Sequence, residues 1–235
     1  MENQFSRTEM LIGKDNLAIL KNARVAIFGI GGVGGHTFEA LVRAGGGTLD
    51  IFDSDVVDIT NLNRQIIATH KTVGILKTDA AEARAKEINP LVKINKYNVF
   101  YSNENSDQFD FSQYDYIVDA IDSVSSKIEL VIRAQAVETP IISSMGTGNK
   151  LNPQGFKVSD IFKTNVCPLA RVMRYELRKR GVKKLKVVYS EEESVKSTLD
   201  DNGRPIPASI SFVPATAGLI IASEVVKDLI NMGNS

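Results

Sequence analysis

In residues 26–41, AIFGIGGVGGHTFEAL, an apolar run gives way to a cluster of glycines and then to a helix-like pattern. The flanking segment ARVAIF reads as a short buried strand, and HTFEALVRAGGG places Phe38, Leu41 and Val42 on one helical face before a glycine stop. Gly29, Gly31 and Gly34 stand in the GxGxxG spacing between the two. A chain that turns tightly from strand to helix leaves backbone N–H groups and a helix N-terminus facing whatever anion lies above them. That spacing alone is a weak sign of nucleotide binding. It gains weight from TLDIFDSD, a second strand whose Asp53 follows at the distance where a carboxylate accepts hydrogen bonds from ribose hydroxyls.

Outward from this β-α-β unit the alternation continues. KTDAAEARAKEINP reads as a helix ending at Asn89-Pro90, VKINKYNVF and YDYIVDAID as strands, SSKIELVIRAQAVE as a helix and PIISSM as a strand. The expected fold is α/β, a doubly wound, Rossmann-like, mostly parallel sheet with a C-terminal extension of strands and helices. In that extension GFKVSDIF reads as a strand and CPLARVMRYELRKRG as a basic helix. KLKVVYSEE reads as a strand leaving the sheet pattern, DDNGRPIP as a loop, and ISFVPATAGLIIASEVVKDLI as a strand running into an apolar helix. We expect one domain over residues 1–235, with a nucleotide-binding core in 1–150 and a substrate-binding and dimer part in 151–235.

Composition narrows the partners. The 235 residues are 43% hydrophobic and carry 28 Lys plus Arg against 28 Asp plus Glu, so a nucleic acid would have to be met by a local patch. The single cysteine, Cys167, excludes an internal disulfide and zinc sites built from paired CxxC motifs. His36 and His70 lack metal-ligand spacing, and His36 is expected to pack or cap locally. The N-terminal MENQFSRTEM has no apolar core of a signal peptide, and AGLIIASEVVKDLI is too short and interrupted to span a bilayer. The reading is a soluble, cytoplasmic protein with no membrane partner.

A nicotinamide enzyme would account for the glycines and Asp53 but not for the segment beyond them. Where a dinucleotide fold would begin a helix, DSDVVDITNLNRQIIATHKTVGILKTDAA offers a polar loop and then Lys77 at the head of a helix. Attack of an anion on a phosphate brings negative charges together, which cations must offset in the transition state. Arg64 can fork two phosphate oxygens and Lys77 can act as a point charge. Asp122, in IVDAIDSV, is expected at a strand's carboxyl end, where it suits either magnesium or the cap of the next helix.

GIGGVG, DSDVVDITNLNRQ, the lysine of VGILKTDAA and VDAID resemble, in order and spacing, one adenylating domain. It is shared by ubiquitin-activating enzymes, the activators of the thiamine and molybdopterin sulfur carriers, and the tRNA threonylcarbamoyladenosine dehydratases. The resemblance implies ATP and Mg2+, adenylation of a carboxylate and a homodimer. Carried onto this chain, it places Gly29, Gly31, Gly32 and Gly34 along the phosphates and Asp53 at the ribose. Asn61, Arg64, Gln65 and Lys77 surround the triphosphate, and Asp122 holds the metal. It also offers Arg7, in FSRTEMLIG, as the arginine that reaches the partner subunit's ATP; Gln4 sits where some relatives carry arginine.

Among these branches the sulfur-carrier activators generally carry two CxxC pairs, which this chain lacks. The pattern of VSDIFKT, CPLARVMRYELRKRG and FVPATAGLIIASEVVKDL resembles the tRNA dehydratases more closely. The resemblance implies ATP-dependent cyclisation of threonylcarbamoyladenosine beside the anticodon, with no protein nucleophile, so Cys167 is expected to be structural. It leaves a place for a sulfur-relay protein. The residues add Arg171, Arg174, Arg178, Lys179, Arg180, Lys183, Lys184 and Lys186 against Glu176, a positive face expected to draw a phosphate backbone. The alternatives left open are adenylation of the C-terminal glycine of a small sulfur carrier, a nucleotide-binding partner without turnover, and an NAD oxidoreductase.

Overall fold

The computed structural model describes residues 3–195, 198–199 and 205–233. Helices α1 (Ser6–Ile12) and α2 (Lys14–Asn22) lead into β1 (Arg24–Phe28), α3 (Gly34–Ala44) and β2 (Thr48–Phe52). Next come α4 (Lys77–Ile88), β3 (Lys93–Tyr97), β4 (Tyr116–Asp119), α5 (Val124–Ala136) and β5 (Ile141–Ser144). The chain closes with β6 (Phe156–Asp160), α6 (Pro168–Lys179), β7 (Lys186–Ser190) and α7 (Phe212–Gly233). Between 198–199 and 205–206 runs a short antiparallel ladder. The expected loop DDNGRPIP falls largely on 200–204, outside the described residues.

Seven strands form one sheet in the order β3-β2-β1-β4-β5-β7-β6, parallel except for β6. Strand alternation sorts each β1 side chain to one of two cores. Val25 and Ile27 face a cluster with α3, α4 and α7, while Ala26 and Phe28 face one with α5 and α6. Phe28 and Phe52, paired in register, stack with centroids 4.1 Å apart. Strand order reverses at β1, between β2 and β4, so a crevice opens above the carboxyl ends of these strands.

Two expectations for the second half are corrected. KLKVVYSEE does not leave the sheet: β7 pairs parallel with β5 and antiparallel with β6. Its Val187, Val188 and Tyr189 are all buried, the mark of a strand covered on both faces. Nor does ISFV form a strand before the last helix. Pro214 stands in the first turn of α7, where its fixed φ starts a helix and its missing N–H costs nothing.

The C-terminal helix reaches the glycine loop. A side chain at Gly218 would lie 2.4 Å from the Val33 carbonyl, and the Thr37 hydroxyl donates to the Gly218 carbonyl at 2.9 Å. Glycine thus lets α7 pack backbone to backbone on the start of α3.

Candidate active site

The glycines divide into two kinds. Gly29, at φ 89°, turns the chain out of β1, and a Cβ there would lie 2.7 Å from the Ala120 carbonyl. At Gly34 a Cβ would collide with the Gly29 carbonyl at 1.8 Å. Gly31 meets nothing nearer than 3.9 Å, and Gly32 faces Pro214 at 3.2 Å. Gly29, Gly31 and Gly32 line a cavity of about 810 Å³, but Gly34 does not. Gly34, the first residue of α3, packs the helix onto the loop, which leaves no room for a side chain there. Neither a side-chain cap nor an acid occupies the first turn of α3; the Gly35 N–H is taken by the Gly31 carbonyl at 2.9 Å, and the positive end of the helix is left open to an anion.

Asp53 follows β2 directly and is tied to the loop. Its Oδ2 accepts the Ile30 N–H at 2.8 Å and its Oδ1 the Asp55 N–H at 2.9 Å. Lys77, first residue of α4, is buried beside it, with Nζ 2.6 Å from Asp55 Oδ2 and 3.7 Å from Asp53 Oδ1. The polar segment between is wound into a short 3-10 turn over Ile59–Asn61, where Asp58 and Asn61 cap each other. That turn presents Arg64, half-buried, its Nη1 donating to the Thr60 carbonyl and Asn63 Oδ1, each at 2.9 Å. Gln65 is buried at the cavity wall, and its Oε1 has no hydrogen-bond partner among the described residues. An orphaned buried oxygen in a polar cavity marks a place that a ligand's donor would complete.

Asp122 needs a correction of place. β4 ends at Asp119, and Asp122 lies beyond it in the loop to α5, exposed at the cavity. It is not the helix cap, a role taken by Ser123, whose hydroxyl accepts from Ser126 N–H at 3.5 Å. Asp119 is wholly buried with Lys127 and Ser143, a group that the sequence pattern did not single out. The spacing DAIDSVSSK held the signal, two acids and a lysine around a helix start, but nothing in it says which acid is buried.

Asn61, Arg64, Gln65, Lys77, Asp53 and Asp122 thus share one cavity with the loop glycines. Arg7 does not join them: it is exposed on α1 and lies outside the cavity of its own chain. The far wall, also missed, consists of Ser144–Gly148 after β5 and Pro207–Ser209, whose Ser209 carbonyl accepts from Asn63 Nδ2 at 3.0 Å. These are neutral side chains scattered over two loops, with no motif to reveal them. Cys167 Sγ lies behind this wall, 1% exposed, against Gly146. His36 Nδ1 bonds the Gly32 carbonyl at 2.8 Å, a local contact. Among the described residues no three His, Cys, Asp or Glu side chains gather around a common point.

The basic segment is partly committed to the fold. Arg171, Arg178, Lys179, Lys183 and Lys184 are exposed. Arg178 lies over Phe162 and Lys179 over the exposed Tyr175, at 5.1 and 4.0 Å from the ring centroids. Arg174 instead donates to Thr164, and Arg180 pairs with Glu176. Lys186 leaves the face altogether, its Nζ bonded to Asp228 and Glu224 on α7.

A model of the ThiF family matches residues 5–235. A tRNA threonylcarbamoyladenosine dehydratase of Bacillus subtilis is 42% identical over 243 residues, spanning 98% of this chain and 96% of that protein. Crystal structures of the Escherichia coli tRNA N6-threonylcarbamoyladenosine dehydratase, in complex with AMP and with ATP, superpose with TM-scores of 0.91 and 0.90. Both are 31% identical and cover 98% of this chain and 95% of that one.

Proposed function

The chain belongs to the ThiF family, and from that premise we propose that it uses ATP to dehydrate threonylcarbamoyladenosine in tRNA beside the anticodon. One observation carries the reading: Arg64, Lys77 and Asp122 meet the open glycines in one cavity whose opposite wall has no ionisable side chain. Such a site is built to offset phosphate charge and to leave the second reactant to supply its own nucleophile.

The residues present fit a nucleoside triphosphate. The N-terminus of α3, which carries no side-chain cap and no acid, faces its phosphates, Asp53 accepts from the ribose, and Gln65 offers its unpaired oxygen. Asp122, whose side chain has no partner among the described residues, is an oxygen donor suited to a divalent cation and would hold Mg2+. When bound, that ion supplies positive charge to the phosphate oxygens. The threonyl carboxylate attacks the α-phosphorus and forms one P–O bond as the bond to pyrophosphate breaks. Arg64 and Lys77 offset the charge that gathers on the phosphate oxygens. An atom of the same modified base then attacks the activated carbonyl, closes the ring, loses its proton to water and expels AMP. Because both partners sit on one nucleoside, the second step runs at the high effective concentration of an intramolecular reaction and needs no enzyme thiol.

Two surfaces serve this scheme. The exposed Arg171, Arg178, Lys179, Lys183 and Lys184, with Arg174 and Arg180 at their margin, form the tRNA face, and Tyr175 among them offers a ring for an unpaired base. The chain acts as a homodimer in which Arg7 reaches its partner's ATP. In support, Met10 and Leu11 beside it on α1 are 81% and 86% exposed, apolar surface that a second copy would cover. No described helix is long and apolar enough to cross a membrane, and a tRNA substrate implies work in the cytoplasm.

The test is to incubate the protein with ATP, Mg2+ and tRNA bearing threonylcarbamoyladenosine, digest under mild neutral conditions and weigh the nucleosides. ATP-dependent loss of one water from that nucleoside is expected. An unchanged nucleoside, with ATP binding verified, would overturn the reading in favour of a protein carboxylate, such as the glycine end of a sulfur carrier.

A further inference from the structure

The loop that carries Asp122 is held from beneath by a charge that stability alone does not explain. Lys127 lies in the first turn of α5 and is 0% exposed. Its Nζ donates to Asp119 Oδ1 at 2.9 Å and to the Ile121 carbonyl at 3.0 Å. The other Asp119 oxygen accepts from the Ser143 hydroxyl on the neighbouring strand. On the far side of Asp122, the Lys127 backbone N–H donates to the Ser123 carbonyl at 2.9 Å. Both residues flanking Asp122 are therefore bonded to Lys127.

This is a costly way to build a core. A buried ion pair is matched or bettered in stability by apolar side chains of similar size. An ammonium in the first turn of a helix also opposes the helix dipole. What an apolar residue could not provide is the bond to the Ile121 carbonyl, which fixes the peptide next to Asp122. Asp122 itself, exposed and without a partner among the described residues, has only its backbone to set its direction.

We propose that Lys127, braced by Asp119 and Ser143, is a positioning residue that aims the Asp122 carboxylate at the divalent cation of the nucleotide site without touching the nucleotide. The inference rests on Asp122 as the metal-holding residue. Lys127 acts on the cation through Asp122 alone, so its loss weakens binding of the metal–nucleotide pair and spares the metal-free nucleotide.

Calorimetric titration of the full chain with ATP, once with Mg2+ and once with EDTA, separates these effects, because it reads binding and not turnover. The Asp119→Asn/Lys127→Met double variant removes both buried charges together, which avoids stranding one of them. We expect the gain in ATP affinity due to Mg2+ to fall by about 10- to 100-fold, the usual cost of losing a support behind a metal ligand, with affinity in EDTA unchanged. A full Mg2+ gain in the folded double variant would overturn the proposal and leave Lys127 a purely structural residue. Should that variant not fold, Ser143→Ala, which deletes one hydroxyl from the brace, carries the same test: a reduced Mg2+ gain is expected, and an undiminished one overturns the proposal. Asp122→Asn tells apart the two ways of failing. If it too keeps the full gain, the metal-holding role of Asp122 falls, and the role of Lys127 falls with it; if it alone loses the gain, only the role of Lys127 falls.

Discussion

Asp53 and Ile30 lie 23 positions apart, yet the Asp53 carboxylate accepts the Ile30 N–H at 2.8 Å and so joins the end of β2 to the glycine loop. The acid that is proposed to receive the ribose thus also shapes the phosphate cradle. Asp53→Ala should cost ATP affinity twice over, through the lost ribose contact and the loosened loop. We expect a loss of about tenfold or more, where each tenfold is about 1.4 kcal/mol. Asp53→Asn keeps an oxygen for Ile30 and should lose less. Calorimetry with ATP checks the order of the two variants.

The two kinds of glycine should separate in experiment. Gly34→Ala puts a methyl group into the Gly29 carbonyl and should lower Tm sharply or prevent folding. At Gly31 a methyl group has room in the empty protein, so Gly31→Ala should melt as the parent does while losing ATP binding. Thermal melts with and without ATP distinguish the two.

Lys77 is held by two acids, and its removal leaves both facing the phosphates. Lys77→Ala should therefore lose ATP binding and rate together, with rate lower by about 10²- to 10³-fold, as for other groups that stabilise transition-state charge. Adding Asp55→Asn should restore much of the binding and little of the rate. Single-turnover assays beside ATP titrations read the split.

Charge reversal at Arg171, Arg178 and Lys183 should weaken tRNA binding and flatten its dependence on salt. Each lost phosphate contact should reduce the slope of log K against log salt by about 0.7 to 0.9. Lys186→Glu, by contrast, should act on stability, because that lysine is spent on Asp228 and Glu224. Filter binding over a range of salt, with a melt of each variant, tests both statements.

Glu39, on α3 and paired with Arg84 of α4, supplies a pH dependence. Burial pushes its carboxyl up, but the hydrogen bonds from Arg84 and Arg43 prevail and hold it below the ordinary glutamate value of 4.5. A depressed folded pKa means stability that is fully present above the ordinary value and is lost as pH falls through the folded one. Glu39→Gln should thus melt below the parent at neutral pH, with the gap closing as pH drops below about 4.5. Melting curves from pH 7 to pH 3 check the sign.

The sequence displayed the parts of this molecule that are local. Strand, glycine loop, helix and acid occur in order along one stretch, and their fold is set by neighbours in the chain. It did not display the features that depend on distant partners. Lys186 looks like its basic neighbours until α7 brings Asp228 to it. Gly34 matches the loop motif, and only the returning Gly29 carbonyl shows it to be a packing glycine. The identity of the buried acid in DAIDSVSSK depends on Ser143, one strand away. The strand expected before α7 failed for the opposite reason: ISFV alternates as a strand would, and Pro214 overrides it locally.

The contact between Gly218 and the Val33 carbonyl bears on how the protein is made. Synthesis runs from the N-terminus, so the loop of residues 29–34 leaves the ribosome long before the helix segment that seats against it. A nascent chain can form the first parallel strands and still lack the backing of its phosphate cradle. A chain that lacked α7 would leave the Val33 carbonyl and the Thr37 hydroxyl at the start of α3 without that backing.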